Sequence, residues 1–234
     1  MTFKILNRDK WLETIFKKNC YIAKGEKYIN LFKNYKESFI FLKTKKPINN
    51  KFLLDDKLKF LGINKTFSKS IKFIDVYKKN KEIQYKTNLN NSEKKNIINI
   101  AYKNFNYSRF HLDDRLSVEK ANLIKKKTLE NHFLGLRGDK MFTQFYKGKT
   151  SGFCLLNFEG DNSARIDLIC IDKKFSKKGL ATDLLRYSLY NLRKKMYKEK
   201  VVVSTQENNV AAIKLYESFK FITKNNFFLY HYIS

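Results

Sequence analysis

From about residue 93 to the C-terminus, apolar and polar positions follow a regular pattern. Apolar residues at helical spacing predict helices over 94–105, 117–133, 179–195 and 209–219, and apolar runs predict strands over 141–146, 152–158, 164–171 and 200–206, followed by two final short strands. Ser117 is a good N-cap for the second helix. The order α-α-β-β-β-α-β-α-β-β predicts an α/β (α+β) domain.

The first part of the chain has a less regular pattern. Residues 39–42 form a short apolar run, 53–61 have helical spacing with Gly62 as a plausible C-cap, and 70–76 alternate as a strand. Asn and Lys dominate 77–95, which predicts a linker. We therefore expect a small α/β domain over 1–85 and a larger domain over 86–234.

Two segments share a predicted order of helix, turn and strand. They are Lys57-Leu-Lys-Phe-Leu-Gly-Ile63 and Leu215-Tyr-Glu-Ser-Phe-Lys-Phe221. One hypothesis is that the N-terminal unit is a degenerate copy of part of the second. The alternative is coincidence, because this order of elements is common.

Bulk properties favour a globular cytoplasmic protein without a metal. The 234 residues are 43% hydrophobic, enough for a packed core, and no apolar run approaches the ~20 residues that cross a bilayer. Residues 1–21 contain no apolar run like that of a signal peptide. Cys20, Cys154 and Cys170 are far apart and form no ligand spacing with the three histidines, so we expect reduced core thiols.

The net charge of +27 admits two interpretations. A basic protein can bind nucleic acid or an anionic membrane surface. Here lysines are spread along the whole chain instead of clustering with interleaved aromatic residues, and Asn, Ile, Phe and Tyr are abundant throughout. This favours compositional bias, and we expect no specific nucleic-acid or membrane partner. The positive field would then help to recruit ligands that carry phosphate.

The most informative stretch connects an apolar strand to a helix through a loop with a glycine, Ser176-Lys-Lys-Gly179-Leu-Ala181. Backbone N–H groups at a helix N-terminus favour a pyrophosphate, and glycine permits close approach of the backbone. Further along, Asn209, Ala212, Leu215, Tyr216 and Phe221 fit the pattern Asn-x-x-Ala-x-x-Leu-Tyr-x-x-x-Gly-Phe, with Lys220 in place of its glycine.

Together these two motifs resemble those of the GNAT superfamily of N-acetyltransferases, whose first motif has Arg or Gln where this chain has Ser176. The resemblance implies the GNAT fold, with a mixed central sheet flanked by helices, and acetyl-CoA as the acyl donor. It implies that backbone amides hold the CoA pyrophosphate, that the end of the strand at Ile169 and Ile171 pairs with pantetheine, and that Asn209 hydrogen-bonds the cofactor. The amides belong to Lys177, Lys178, Gly179, Leu180 and Ala181.

The resemblance also implies two catalytic residues. Tyr216 would protonate the leaving thiolate, and Asp167 occupies the strand position where many members carry an acidic general base. A phenol can donate to a thiolate if it lies within hydrogen-bond reach. Taken alone, the pattern favours Tyr216 as a core aromatic residue of an amphipathic helix. Asp167 is equally an exposed or paired strand residue, and water or His111 can also remove the proton.

The segment Tyr107-Ser-Arg-Phe-His111-Leu-Asp113, with Glu119-Lys-Ala121 and Glu130-Asn131 after it, resembles the TDP-fucosamine acetyltransferase group of bacterial sugar-nucleotide N-acetyltransferases. So does the N-terminal opening from Trp11 to Phe16, whereas Thr128 stands where that group often has Trp. Arg109 can form a fork onto a phosphate or carboxylate, and Tyr107 or Phe110 can stack on a base or sugar. The other interpretation is a capping and packing cluster.

The expected function is therefore transfer of acetyl from acetyl-CoA to the amine of a dTDP- or UDP-linked deoxyaminosugar, for surface polysaccharide synthesis such as that of O-antigen. The proposed acceptor site comprises Tyr107, Arg109, Phe110 and His111. Acetylation of another small-molecule or protein amine, and a non-catalytic binding module, are the alternatives. A homodimer is the hypothesis for its assembly.

Overall fold

The computed structural model describes residues 6–74 and 76–234. The strands are Asn7–Arg8 (β1), Asn19–Lys24 (β2), Ser38–Thr44 (β3), Leu58–Ser70 (β4), Ile83–Lys86 (β5), Lys140–Tyr146 (β6), Lys149–Glu159 (β7), Ser163–Ile171 (β8), Lys200–Gln206 (β9) and Ile222–Ile233 (β10). The α-helices are Lys10–Phe16 (α1), Asn91–Asn104 (α2), Val118–Phe133 (α3), Leu180–Met196 (α4) and Val210–Ser218 (α5). Glu26–Asn34, Asn50–Leu54 and Lys173–Phe175 are 3-10 helices.

These strands form one sheet in the order β1-β2-β3-β10-β4-β9-β8-β7-β6-β5. β2 and β3 run parallel, as do β8 and β9, and the other neighbours are antiparallel. α4 and α5 pack on one face of the C-terminal strands, and α2 and α3 on the other. The predicted mixed sheet flanked by helices is confirmed.

The two faces have separate cores because successive strand residues point to opposite sides of a sheet. Leu184, Leu185 and Leu189 of α4 pack with Ala164, Ile166, Val201 and Val203 of β8 and β9. On the opposite face, Ile97, Ala101 and Leu129 of α2 and α3 pack with Phe153, Leu155, Leu168 and Cys170 of β7 and β8. The site described below lies in the sheet between these two layers.

The regular C-terminal pattern predicted its elements well. α2 to α5 and β6 to β9 are confirmed within a few residues, and the Ser117 hydroxyl caps α3 by accepting from the Lys120 amide at 3.2 Å. The two final short strands are wrong. They form the single strand β10, whose register shifts twice, between Thr223 and Asn225 and between Phe228 and Tyr230.

The helix predicted over 53–61 is wrong, because residues 53–54 end a 3-10 helix, 55–57 form a turn, and 58–61 begin β4. β4 pairs with β10 on one side and with β9 on the other, so strand pairing overrides helical spacing here. Gly62 is not a C-cap. It has φ +102° inside β4, where Leu61 and Gly62 lie opposite the single residue Leu229, so the glycine serves a β-bulge.

The predicted strand over 70–76 is also wrong. β4 ends at Ser70, residues 71–74 belong to no strand, and Asp75 lies outside the described residues, as does the 1–5 segment of the predicted N-terminal domain. The segment 77–95 is only partly a linker. It contains β5, which pairs with β6 at the edge of the sheet, and the first turn of α2.

The strands repeat around the central pair β10 and β4. On each side follows an antiparallel neighbour (β3 or β9), then a parallel strand (β2 or β8), then an antiparallel strand (β1 or β7). The 3-10 helix Asn50–Leu54 precedes β4 as α5 precedes β10. This arrangement agrees with a degenerate copy. The segments 57–63 and 215–221 do not occupy equivalent positions in it, because 58–63 belong to β4 whereas 215–221 comprise the end of α5 and the residues before β10. The division at residue 85 stays a prediction.

Candidate active site

The site begins where two parallel strands separate. β8 and β9 pair from Ser163–Ile166 against Lys200–Val203, and beyond these residues both strands continue without pairing to each other. A cavity of about 800 Å³ lies at this separation. Ile169 and Ile171 line it from β8, and Thr205 and Gln206 from β9. The free backbone edge of β8 is therefore available to an extended ligand.

The loop before α4 presents backbone donors. Within the described chain, the amides of Lys177, Lys178 and Gly179 donate to no protein acceptor, and the first amides of α4 also lack partners inside the helix. Gly179 is the N-cap with φ +72°, and a Cβ there would meet nothing within 4 Å. Ala181 lines the cavity, while the four residues before it lie outside the lining. The buried Leu180 side chain leaves only its backbone for a ligand.

Tyr216 and Asn209 line the cavity from α5 and its N-cap. The Tyr216 ring is buried and packs against Phe67 and Phe221. Burial raises the pKa of Tyr216, so the phenol keeps its proton. The Asn209 side chain accepts from the Ala212 amide at 3.3 Å and donates to Thr205 at 3.1 Å. Tyr216 is therefore a core residue through the packing of its ring, and it is also a residue that lines the cavity.

Asp167 lies at the point where β8 leaves β9. Leu155 pairs with Leu168 and Leu156 with Ile166, so Asp167 is the unpaired residue of a β-bulge. Its carboxylate accepts from Nε and Nη2 of Arg137 at 3.0 and 3.2 Å. The sequence did not reveal this ion pair, because Arg137 belongs to a loop between α3 and β6 and carries no motif.

Arg109 has an unusual environment in the predicted acceptor segment. Its guanidinium lies 3.7 Å from the Phe41 ring centroid and 4.5 Å from that of Phe110, and no partner for its buried Nε exists among the described residues. Burial lowers the pKa of Arg109 to about 10. Tyr107 and Phe110 also line the cavity.

His111 does not line the cavity, which separates it from the other predicted acceptor residues. Its Nδ1 pairs with the Ser108 hydroxyl at 2.6 Å and its Nε2 with the Asn122 side chain at 2.9 Å. Burial lowers its pKa. Both ring nitrogens are thus engaged inside the fold, so we do not retain His111 as a substrate or proton-transfer residue.

Sequence reasoning missed the residues that complete the cavity. From the N-terminal unit come Asp9, Trp11, Phe41, Lys43 and Asn64, and from α3 comes Lys125. The guanidinium of Arg137 lies 5.3 Å from the Trp11 ring centroid. The resemblance of residues 11–16 was the only sequence signal for a contribution of the N-terminal unit to the cavity. The pairing of β4 with β10 that brings this unit to the cavity is long-range and has no sequence pattern.

The site is a cleft suited to an extended ligand. Backbone donors of the loop before α4 lie at the end of the cleft near Ala181, and aromatic and charged side chains such as Trp11 and Arg109 also line it. A model of the acetyltransferase (GNAT) family matches residues 104–221, half of the chain. The chain belongs to the GNAT acetyltransferase family. GNAT acetyltransferases use acetyl-CoA, and the diverging strands, the free amides and Gly179 fit that donor.

Known proteins resemble this GNAT chain at two levels. The spore coat polysaccharide biosynthesis protein SpsD of Bacillus subtilis (strain 168) is 28% identical over 135 residues, 58% of this chain and 46% of SpsD, so the match spans less than half of that relative. A functionally unknown conserved protein of Staphylococcus epidermidis ATCC 12228 has TM-score 0.67 at 11% identity, covering 93% of this chain and 84% of that one. A GCN5-related N-acetyltransferase of Kribbella flavida has TM-score 0.58 at 6% identity, covering 92% and 81%. These two structures show the shared fold.

Two further features concern partners of this GNAT protein. Among residues 6–74 and 76–234, no cluster of three or more His, Cys, Asp or Glu side chains is suited to a metal ion, and Cys20, Cys154 and Cys170 are buried and free. No helix in the same residues combines the length and apolar character that a bilayer crossing requires.

Proposed function

We propose that this enzyme transfers acetyl from acetyl-CoA to the amino group of a deoxyaminosugar linked to dTDP or UDP, in the synthesis of a surface polysaccharide. The observation that carries the proposal is the charge of the cavity. Four basic and two acidic side chains line it, namely Lys43, Arg109, Lys125 and Arg137 against Asp9 and Asp167. An acceptor with a diphosphate and a flat base or sugar fits this excess charge and the aromatic rings beside it.

In this proposal the donor lies along the separated strands. The amides from Lys177 to Ala181 hold its pyrophosphate, and the free edge of β8 up to Ile171 pairs with its pantetheine arm, next to Asn209. When bound, acetyl-CoA supplies the acetyl group and a thiolate as leaving group. Tyr216 delivers its phenolic proton to the thiolate sulfur, consistent with the raised pKa that keeps the phenol protonated.

Asp167 is the proposed acceptor of the amine's proton, directly or through water. Its place in the bulge puts the carboxylate beside the separation of β8 and β9, and Arg137 fixes its orientation. Direct removal by water alone is the alternative, because the two N–H donors of Arg137 already engage the carboxylate oxygens.

The acceptor class has independent support in the name of the relative SpsD, a spore coat polysaccharide biosynthesis protein. Acetylation of another small-molecule or protein amine remains the second candidate, since the GNAT fold serves many acceptors. The third candidate is a non-catalytic module, suggested by Ser176 in place of Arg or Gln.

The deciding experiment measures thiol release from acetyl-CoA with three acceptor types: a dTDP- or UDP-linked deoxyaminosugar, the same free aminosugar, and an N-terminal peptide amine. We expect turnover with the nucleotide-linked sugar at a kcat/KM at least ~100-fold above the free sugar, the value of about two charge-assisted contacts. Preference for the peptide would support the second candidate. Absence of turnover with every amine, in a protein that binds acetyl-CoA, would support the third.

A further inference from the structure

Lys125 is a cavity residue that belongs neither to the proposed donor site nor to the sequence motifs. Lys125, on α3, lines the cavity with its ammonium 5.0 Å from the Phe105 ring centroid. Within the described chain it forms no hydrogen bond and no ion pair, unlike Lys126 and Lys127 of the same helix, which pair with Glu130. Lys125 is therefore a cation inside the fold without a counter-ion.

Arg109 is a second such cation in the same cavity. Its Nε lacks a partner and its guanidinium contacts two aromatic rings, and among the described carboxylates none lies within 4 Å of it. The cavity carboxylates are engaged elsewhere: Asp167 pairs with Arg137, and Asp9 caps α1 by accepting from the Leu12 amide at 3.0 Å. Arg109 Nε is buried without a partner, and Lys125 is a half-buried residue that lines the same cavity. A charge that is partly removed from water without a counter-ion is costly, so the two unpaired cations point to a bound anion.

We propose that Arg109 and Lys125 bind the diphosphate group of the acceptor. The proposal rests on the proposed function and specifies which residues give it selectivity for a nucleotide-linked substrate. A diphosphate diester carries two negative charges, which matches the excess of two positive charges left by four basic and two acidic side chains in the cavity. A single carboxylate would leave one of the cations unneutralised.

The state of Lys125 agrees with this role. The pKa of Lys125 is lowered to about 8, mainly by burial and also by repulsion from Arg109 and Arg137, while Asp167 and Cys170 act in the opposite direction. An anion bound beside the ammonium would oppose these lowering effects and favour the charged form. The free protein thus holds Lys125 in a destabilised charged state that a diphosphate relieves.

The test uses the full chain saturated with CoA, which occupies the donor site, and UDP as the probe in calorimetric titration. Lys125→Met and Arg109→Met should each weaken UDP binding by at least ~10-fold, the usual loss for a charge-assisted contact. Lys127→Met, the same change on the exposed side of α3, should leave UDP binding within twofold of the wild type. Affinity of each variant for CoA should be unchanged.

Lys125→Met also separates a binding role from a structural one. Replacing a half-buried ammonium that has no counter-ion by an apolar side chain of similar length should maintain or raise the melting temperature of the free protein. Equal UDP affinity in the wild type and both cavity variants, or no binding of UDP at millimolar concentration, would overturn the proposal.

Failure of this site and failure of the proposed function give different results. If both variants acetylate the nucleotide-linked aminosugar with an unchanged KM, the function stands and the diphosphate assignment is wrong. If UDP binding depends on both cations but no nucleotide-linked amine is acetylated, the site stands and the function is wrong.

Discussion

At the scale of single residues, Tyr216 combines a core position with a chemical one. Its ring packs between Phe67 and Phe221 while the residue lines the cavity at the separated strands. The raised pKa of Tyr216 means that the phenol holds its proton throughout the working pH range, as a general acid must before transfer. The packing belongs to the ring and the chemistry to the hydroxyl, so the two can be separated by one substitution.

Tyr216→Phe removes only the hydroxyl and should therefore preserve stability and acetyl-CoA affinity. Turnover should fall by ~100-fold to 10,000-fold, the usual contribution of a positioned general acid. The loss should appear in kcat with a smaller effect on KM, because the proton is needed mainly in the transition state. Steady-state kinetics and thermal melts of the two proteins provide the measurement. An unchanged kcat, with product release shown not to be limiting, would exclude the general-acid role.

Asp167→Asn tests the other proposed proton-transfer residue. The amide keeps the shape of the side chain but cannot accept the amine's proton, so kcat/KM should fall by at least ~100-fold and the acidic limb of its pH profile should change. Arg137→Gln serves as the matched variant, since it breaks the same ion pair while leaving the carboxylate in place. An unaltered acidic limb in Asp167→Asn would assign proton removal to water.

Sequence alone identified the residues that lie in motifs and missed those brought in by the fold. Gly179, Asn209 and Tyr216 were recognisable because local spacing fixes their place at helix starts and on one helix face. Arg137 and Lys125 were not, because neither belongs to a motif and each reaches the cavity through packing of distant segments. The place of Asp167 was predicted, but its bulge and its ion pair depend on the register of β7 and β8.

At the scale of elements, the loop before α4 supplies a matched pair of glycine variants. Gly179 and Gly160 have similar φ values, +72° and +66°, and open space around both Cβ positions. Each substitution by Glu should therefore cost a similar amount of stability, about 1 kcal/mol, through backbone strain. Gly160 lies in the turn between β7 and β8, at the opposite end of β8 from the loop.

Only Gly179→Glu should abolish acetyl-CoA binding, because it places a negative side chain at the amides proposed to hold the pyrophosphate. In the wild type and in Gly160→Glu, acetyl-CoA at ~100 times its Kd should stabilise the fold by about 2.7 kcal/mol, measured as a rise in Tm. Normal binding by Gly179→Glu would contradict the assignment of this loop.

A buried charge cluster fixes the segment that carries Arg109. His231 of β10 pairs through Nδ1 with Asp113 at 2.9 Å, and Arg115 donates to both oxygens of the same carboxylate. Burial lowers the pKa of His231 from 6.5 to about 4. Two partners hold the pKa of Asp113 well below its usual range, although burial alone would raise it. The folded protein therefore keeps His231 neutral and Asp113 ionised.

This cluster predicts loss of stability in mild acid. As the pH falls from about 6.5 to 4, unfolded His231 takes up a proton that the folded form refuses, so the free energy of unfolding should fall by about 2–3 kcal/mol. Urea titrations at pH 7 and pH 4.5 would measure the change. His231→Gln should be less stable at pH 7 but should show a smaller pH dependence, and an equal dependence in both proteins would contradict the assignment.

The elements themselves were predictable to the extent that their pairing is local. α2 to α5 and β6 to β9 follow one another along the chain and show clear periodicity. The sequence did not predict β4, because the helical spacing at its start is overridden by pairing with β9 and β10, more than a hundred residues away. Gly62 illustrates the same limit, since a glycine at positive φ suits a C-cap and a β-bulge equally well.

At the scale of the whole molecule, the two parts of the chain exchange strands at the centre of one sheet. β4, from before residue 85, lies between β9 and β10, and β10 in turn lies between β3 and β4. The parallel strands β2 and β3 of the N-terminal part remain paired from Asn19–Lys24 to Ser38–Lys43, whereas β8 and β9 separate. The repeat therefore offers one opening for a donor molecule in the described chain, the one between β8 and β9.

The exchange of strands predicts that residues 86–234 cannot fold alone, even though they contain the GNAT motifs. Without β4, the backbone N–H and C=O groups at the facing edges of β9 and β10 lose their partners, and Phe67 is missing from the core around Tyr216. The separate fragment should be insoluble or lack cooperative unfolding and acetyl-CoA binding. Co-expression of 1–85 and 86–234 as two chains should restore a complex that binds acetyl-CoA, because the cut leaves β4 intact and falls before the last residue of β5, the edge strand of the sheet. Circular dichroism melts and size-exclusion chromatography would test both.

A monomeric fragment 86–234 that unfolds cooperatively and binds acetyl-CoA would contradict this prediction. It would show that β9 and β10 can complete the sheet without β4, and that the division at residue 85 separates independent domains.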